Sequence, residues 1–383
     1  MTRLTLSSGE IRRLRLRGLH LDNRSTPDFV VDVVRDTGGI QAQVMSAAEM
    51  ALGVRTKSTR DFVSHALWVD RSLVKTWCMR GAIHLLPADE LTLFLSAYGR
   101  NAMRNEERVL LRRGFTGRDI ARSCAAIVTA LDGRSLTRKE LAHEVGKRLG
   151  GRFEALLESS WGALIKPAAL EGLVCFGPNR GREVTFVRVD QWLGSTKGVK
   201  SDDARTLLLQ RYIRAYGPVS MHDYAHWSGI GVRNAAQQWV DHDHGTVDVF
   251  DECGRAFRVG VETLKSAPGV DERSTRLLPA FDPYLLGYRG KDHVVRSVDY
   301  KCVYKKAGWI SPVVLVDGHV IGVWRCRRVR RRLRVEIQAF GETTDTELAG
   351  IEAEVSELGR FLRLAAEVTP QAGAAVAALT TER

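Results

Sequence analysis

No stretch of this chain approaches the roughly 18 consecutive apolar residues of a membrane-spanning helix, so a transmembrane protein is not expected. The opening residues, MTRLTLSSGEIRRLRLRG, alternate Arg with Leu and contain no apolar core followed by a cleavage site, which argues against a secretory signal. Cysteine is sparse. Cys78, Cys124, Cys175, Cys253, Cys302 and Cys326 are scattered with no CxxC pair, so they read as reduced thiols and neither a disulfide framework nor a zinc site is expected. Several catalytic signatures are also missing: GxxxxGK followed by Ser or Thr, GxGxxG after a strand, HExxH and GxSxG. The nucleotide-binding, zinc-protease and common hydrolase readings therefore lose support. Acidic residues are in deficit, 45 Asp+Glu against 57 Lys+Arg, a net charge of +12. That balance favours a polyanionic partner, nucleic acid or an acidic surface. A cytoplasmic protein with no membrane association is the expectation.

What is present is a chain of 383 residues, too long for one compact core, in which one pattern recurs three times. The pattern is helix, short helix, longer helix, then two strands around a turn. The middle copy is clearest: a helix over Arg118–Leu131, a second capped by Ser135 or Thr137 with Glu140 completing a capping box, and a third over Phe153–Leu170, interrupted near Pro167. Leu173–Phe176 and Glu183–Val187 then read as a hairpin wing. The next copy takes Ala204–Tyr216, MHDYAHWS capped by Ser220, Val232–Val240, and a wing of TVDVF with FRV. The first copy uses Ser8–Arg17, Thr26–Asp36, a helix after Gln43, and wing strands near Val74–Trp77 and Ala82–Leu85. A long helix from Ala88 to Arg113 links it to the second. The expected fold is α+β: tandem winged-helix units at 1–113, 114–198 and 199–262 forming a curved DNA-binding channel, then a β-rich region at 263–383. That region ends in an amphipathic helix over Thr344–Leu364 and an Ala/Thr-rich frayed tail.

Basic charge gathers in three places. Arg12, Arg13, Arg15 and Arg17 crowd the first helix, and Arg100, Arg104, Arg108 and Arg112 form one stripe along the linking helix. Arg325, Arg327, Arg328, Arg330, Arg331, Arg332 and Arg334 lie in an expected hairpin, with more like charge than folding requires. A helical arginine stripe is commonly a solvated face, so the hairpin is the stronger DNA contact. Six neutralised phosphates would give log K against log salt a slope of about −5. His84 alternates with apolar neighbours and reads equally as a core histidine or a DNA contact. The loop Leu277–Arg289 either packs domains together or lines a cleft with Asp282, Tyr284 and Arg289. Asp241-His242-Asp243-His244 has no third ligand at suitable spacing, so no metal is assigned to it.

Four motifs then converge. Gly39-Ile40-Gln41-Ala42-Gln43, TWCMRGAIHLLPADE, LLPAFDPYLLGYR and GWISPVVLVDGHVIGVWR, in that order, resemble the AlkZ/YcaQ family of winged-helix DNA glycosylases over nearly the whole chain. The family's functional pair is Gln-apolar-Gln or Gln-apolar-Asp, and Gln41 with Gln43 corresponds to the AlkZ-like form. The resemblance implies a cofactor-free monofunctional glycosylase that removes bulky N7-alkylated purines from double-stranded DNA. Unhooking of interstrand crosslinks, in base excision repair or antibiotic self-resistance, belongs to the same expectation.

Gln41 and Gln43 are the expected catalytic residues. Arg80, His84, Tyr284, Arg289, Arg325, Arg327, Arg328, Arg330 and Arg331 are the expected DNA contacts. An amide cannot take a proton near neutral pH, yet a guanine alkylated at N7 is already cationic and leaves with little protonation. The remaining work is to place a water near C1′. Residues two apart lie about 200° apart on a helix, so both amides act together only if the triplet is extended or opens a helix. The competing reading is a winged-helix transcription regulator or a nonspecific DNA-binding scaffold. No dimerisation heptad and no separate ligand domain are visible, and a monomer is expected.

Overall fold

The computed structural model describes residues 4–159, 162–194, 198–240, 245–265 and 274–369. The Asp241–His244 cluster and the tail 370–383 fall outside the described residues.

Local sequence signals account for the helix starts. Ser7 with Glu10, Thr116 with Asp119, Thr137 with Glu140, Ser220 with Asp223 and Thr344 with Glu347 all form reciprocal capping boxes. They open the helices Ser8–Gly18, Gly117–Ala130, Arg138–Leu149, Met221–Ser228 and Asp345–Leu362. The interruption in the second copy falls around Gly162, between Gly151–Ser159 and Ile165–Leu170, and not at Pro167, which sits inside the latter helix. The linking helix runs from Leu91 to Arg112 with one π-turn at Leu95–Gly99. Its Arg100, Arg104, Arg108 and Arg112 are all exposed.

Three small sheets carry the wings. In the first, Ile83–Pro87 is central, flanked by Leu73–Trp77 and the short strand Ile40–Gln41. In the second, Glu183–Arg188 is central between Val174–Arg180 and Leu136–Thr137. The third pairs Thr246–Asp251 with Ala256–Gly260, and its outer strand, Thr5–Leu6, arrives in parallel from the N-terminus. A five-stranded sheet follows: Thr275–Leu278, Val313–Val316, His319–Val329, Arg332–Ala339 and Ala365–Thr369. The last strand lies parallel to Arg332–Ala339 in a region expected to fray. The helix Asp345–Leu362 covers the sheet, with Ile351, Val355 and Leu358 against Leu277, Val314, Trp324, Leu333 and Val335.

The units do not keep separate interiors. One buried cluster runs from Leu16 through Val74, Tyr98, Tyr216 and Trp227 to Tyr284 and Val320. First-unit strands, third-unit helices and the Leu277–Arg289 segment therefore meet in a single seam, and the candidate site opens along it. Arg15 also belongs to this seam: it is buried, donates to the carbonyl of Pro218 at 2.6 and 3.0 Å, and lies 4.3 Å from the Tyr288 ring centre.

Candidate active site

Gly38 and Gly39 both take positive φ, +67° and +89°, turning the helix Val30–Asp36 into an extended segment. A β-carbon on Gly38 would lie 2.6 Å from the Trp227 ring, so the chain passes directly against the third unit. Ile40 then pairs with Leu85 and Gln41 with His84, and the Ala42 N–H donates to the Ile83 carbonyl at 2.7 Å. Val44 caps the helix Met45–Arg55 with extended backbone, so Gln41-Ala42-Gln43 lies before that helix and outside its turn. Side chains alternate accordingly: Ile40 and Ala42 are fully buried, Gln41 is half-buried and Gln43 is exposed. Gln41 closes the strand, and Gln43 sits at the bend that leads into the helix.

Register extends the Gln41 face across the sheet. Thr76 faces His84, and His84 faces Gln41, so the three share one face, with Val74 and Leu86 in the seam beside Trp227 and Tyr216. His84 is 1% exposed. Its Nδ1–H donates to the Ala82 carbonyl at 3.0 Å, and burial, reinforced by Arg80, pushes its pKa down to about 3. It is a neutral interior histidine in the wall behind Gln41, and the expectation of a direct DNA contact is corrected: the face left open in an isolated wing is covered by the third unit.

Arg80 occupies the tight turn between the two wing strands at φ +57°, followed by Gly81 at +66°. Its guanidinium donates to the Trp227 carbonyl and, through Nη2, to Gln41 Oε1 at 3.2 Å. A guanidinium can only donate, so this contact turns the Gln41 oxygen toward Arg80 and its NH₂ away. Arg80 reaches solvent, while surrounding protein lowers its pKa. Gln43 makes no side-chain hydrogen bond among the described residues.

Tyr284 is fully buried and donates its hydroxyl to the Gly318 carbonyl at 2.9 Å, which removes it from the DNA-contacting set. Asp282 is equally buried and grips Arg55 through two charge-assisted bonds of 2.7 and 2.8 Å. The Leu277–Arg289 segment thus serves packing over most of its length, and only its end, Arg289, is exposed.

Arg325, Arg327, Arg328, Arg330 and Arg331 are exposed on the hairpin His319–Val329/Arg332–Ala339, whose tip is Arg330-Arg331 with Arg330 at φ +54°. Arg327 faces Arg334 across the strands, a like-charge pair that opposes folding. Glu336 sits at 2.5 Å from Arg325 and 3.6 Å from Arg327, and Glu367 takes Arg332 and Arg334 at 3.2 and 3.4 Å. Seven arginines against two carboxylates leave the hairpin strongly positive.

Sequence reasoning passed over His226 and Lys291, which stand near Arg80, the residue bonded to Gln41. The signal for His226 was present in the polar run MHDYAHWS, but only its helical character was read. Among the described residues, no cluster of three or more His, Cys, Asp or Glu is placed to hold a metal, and no helix is long and apolar enough to cross a membrane.

A family model described as "DNA glycosylase AlkZ-like" matches residues 34–361. The chain is 32% identical over 354 residues to an interstrand DNA cross-link repair glycosylase of Streptomyces sahachiroi, covering 90% of this chain and 94% of that one. The solved structure of the Streptomyces sahachiroi DNA glycosylase AlkZ superposes with a TM-score of 0.79 at 29% identity, over 96% of this chain and 100% of that chain.

Proposed function

The chain belongs to the AlkZ-like DNA glycosylase family, and on that premise we propose that Gln41 and Gln43 hold the water that hydrolyses the N-glycosidic bond of a bulky N7-alkylated purine. The proposal includes adducts that form interstrand crosslinks, the lesion named for the relative, in repair or in self-resistance to a DNA-damaging compound. One observation carries it: Gln41 ends the short strand Ile40–Gln41 at the seam between the first and third units, and Gln43 is exposed two residues further on.

The chemistry follows from charge. N7 alkylation gives the base a positive charge that it loses on leaving, so the general acid of most glycosidic cleavages has little to do. What the site supplies is orientation and acceptor oxygens for the water. Arg80 occupies one side of the Gln41 oxygen and leaves its NH₂ outward, so Gln41 fixes the water or the sugar by donation and by its remaining lone pair. The Gln43 amide is not committed within the protein and is the main acceptor for the water. A carboxylate at that place would add negative charge facing the developing sugar cation. Its absence suits substrates that alkylation has already activated.

On the DNA side, Arg80, Arg289 and the hairpin Arg325, Arg327, Arg328, Arg330 and Arg331 are the contacts that remain. The test is release of free base from a duplex bearing an N7-alkylguanine. Gln41→Ala and Gln43→Ala should each slow single-turnover release by about 100-fold or more while the Kd for the duplex moves only a few-fold. Full activity in both variants would end the assignment, and a wild-type protein that binds the duplex without releasing base would end the substrate reading.

A further inference from the structure

Beside Gln41, three segments bring charge to one place. Arg80 comes from the wing turn, His226 from the helix Met221–Ser228, and Arg289 and Lys291 from the loop after the short helix Pro283–Leu286. The contacts between these segments are close. A β-carbon on Gly229, at the end of the His226 helix with φ +74°, would lie 2.7 Å from Arg80 Cγ. The Arg289 backbone N–H donates to Asp223 Oδ1 at 2.8 Å, and Asp223 is one helical turn before His226. Lys291 Nζ donates to the Leu285 carbonyl at 2.7 Å and to that of Tyr288, and stands 5.2 Å from the Tyr304 ring centre.

The cluster is short of negative charge. Asp223 is the carboxylate that pulls on both His226 and Lys291, and it is already engaged. Its Oδ2 accepts from the Ser220 N–H at 3.0 Å and the Ser220 hydroxyl at 2.8 Å. The imidazole of His226 meets Lys291, Arg80 and Arg289 as repelling neighbours, with Asp223 opposing them, and its own burial weighs most; together they push its pKa down to about 4. Burial first, and then Arg80, push Lys291 down to about 8 against the pull of Asp223. Yet Arg80, His226 and Arg289 all reach solvent.

We infer that Arg80, His226, Arg289 and Lys291 form a seat for a single backbone phosphodiester of the lesion-bearing strand, next to the nucleotide whose glycosidic bond faces Gln41 and Gln43. The inference rests on the proposed role of that pair. Two physical arguments support an anion here. Positive charge moves onto the sugar as the alkylated base departs, and a guanidinium bonded to Gln41 opposes that charge unless an anion cancels it. A phosphate also supplies acceptors for the Arg289 guanidinium and the His226 imidazole, which have none among the described residues. Once the phosphate is seated, its negative charge offsets the repulsion from Lys291, Arg80 and Arg289 that adds to the effect of burial, and the imidazole takes up a proton on binding.

The experiment measures the Kd of the full chain for a duplex carrying a tetrahydrofuran abasic analogue, with one phosphate at a time replaced by a neutral methylphosphonate. In the wild type, one position beside the analogue should weaken binding by about tenfold, and in Arg289→Gln that same replacement should cost little more. Replacements elsewhere should cost both proteins equally. Wild-type affinity should rise several-fold from pH 7.5 to 5.5, and His226→Asn should lose much of that rise. Both substitutions are at exposed side chains, and the Asp223 bond uses the Arg289 backbone, so the fold is retained. Absence of any position coupled to Arg289, or an unchanged pH slope in His226→Asn, overturns the seat. Because the probe cannot be cleaved, that result is separate from failure of base release, which would count against the glutamines instead.

Discussion

A glutamine amide has one end that accepts hydrogen bonds and one that donates, and which end faces a substrate is decided by its neighbours. Arg80 makes that decision for Gln41, while Gln43 stays uncommitted, so two identical side chains two residues apart sit in different hydrogen-bonding environments. Neutral chemistry also governs His84. Its pKa of about 3 lies below the ordinary histidine value, so the unfolded chain binds more protons than the folded one as pH falls below about 6.5. Stability from this group is complete above about pH 6.5 and is lost progressively down to about pH 3, on the order of 4 kcal/mol in total. Urea unfolding between pH 7 and 4 should therefore show a shallower loss in His84→Gln than in the wild type, and equal slopes would mean that His84 reaches water. The alternation IHLLP correctly put His84 on the face opposite Ile83 and Leu85. Alternation reports a face and not what covers it, which is why His84 read as either core or contact.

At the scale of elements, capping boxes, turn glycines and wing strands were legible, because each is decided within a few residues. That Gln41-Ala42-Gln43 must be extended or sit at a helix entry was legible from the glycines before it and the geometry of two-residue spacing, and the segment passes from the strand Ile40–Gln41 into the helix Met45–Arg55. The glycines also limit what the segment tolerates. Gly38→Ala adds a β-carbon against Trp227 at a positive φ, and it should cost about 2 kcal/mol or more and lower glycosylase activity with it. Calorimetry alongside base release checks this, and a variant as stable and active as the wild type would mean that the seam is loose. The arginine hairpin makes a separate prediction. Arg327→Ala, Arg330→Ala and Arg331→Ala combined should make the slope of log K against log salt less negative by about 2 to 3. Arg325→Ala alone should change it less, because Glu336 already neutralises part of that charge. An unchanged slope in the triple variant would remove the hairpin from the DNA contacts.

Across the whole molecule, long-range contacts join segments far apart in the chain. Thr5–Leu6 completes the third unit's sheet, Arg15 reaches Pro218, and Tyr216 donates to the Thr37 carbonyl at 2.9 Å, just before Gly38. Arg55 and Asp282, both fully buried, tie the helix that follows the glutamines to the Leu277–Arg289 segment. Asp282→Ala leaves a guanidinium buried without its partner and should cost about 3–5 kcal/mol in urea unfolding. A loss below about 1 kcal/mol would mean that water reaches Arg55.

By itself the sequence determined the α+β class, the helix-and-wing elements, the family and the arginine-rich hairpin, and it singled out the glutamine pair proposed as the site. Each of these rests on periodicity, caps, composition or a contiguous motif, and so on interactions between near neighbours. Only the tertiary structure decided that His84 and Tyr284 are interior, that Arg80 orients Gln41, and that His226 and Lys291 stand beside them. Those facts depend on residues separated by tens of positions to more than a hundred meeting in one seam, where burial and repulsion set both exposure and charge. The glutamine motif was legible in the chain, and the charged wall around it was assembled by packing.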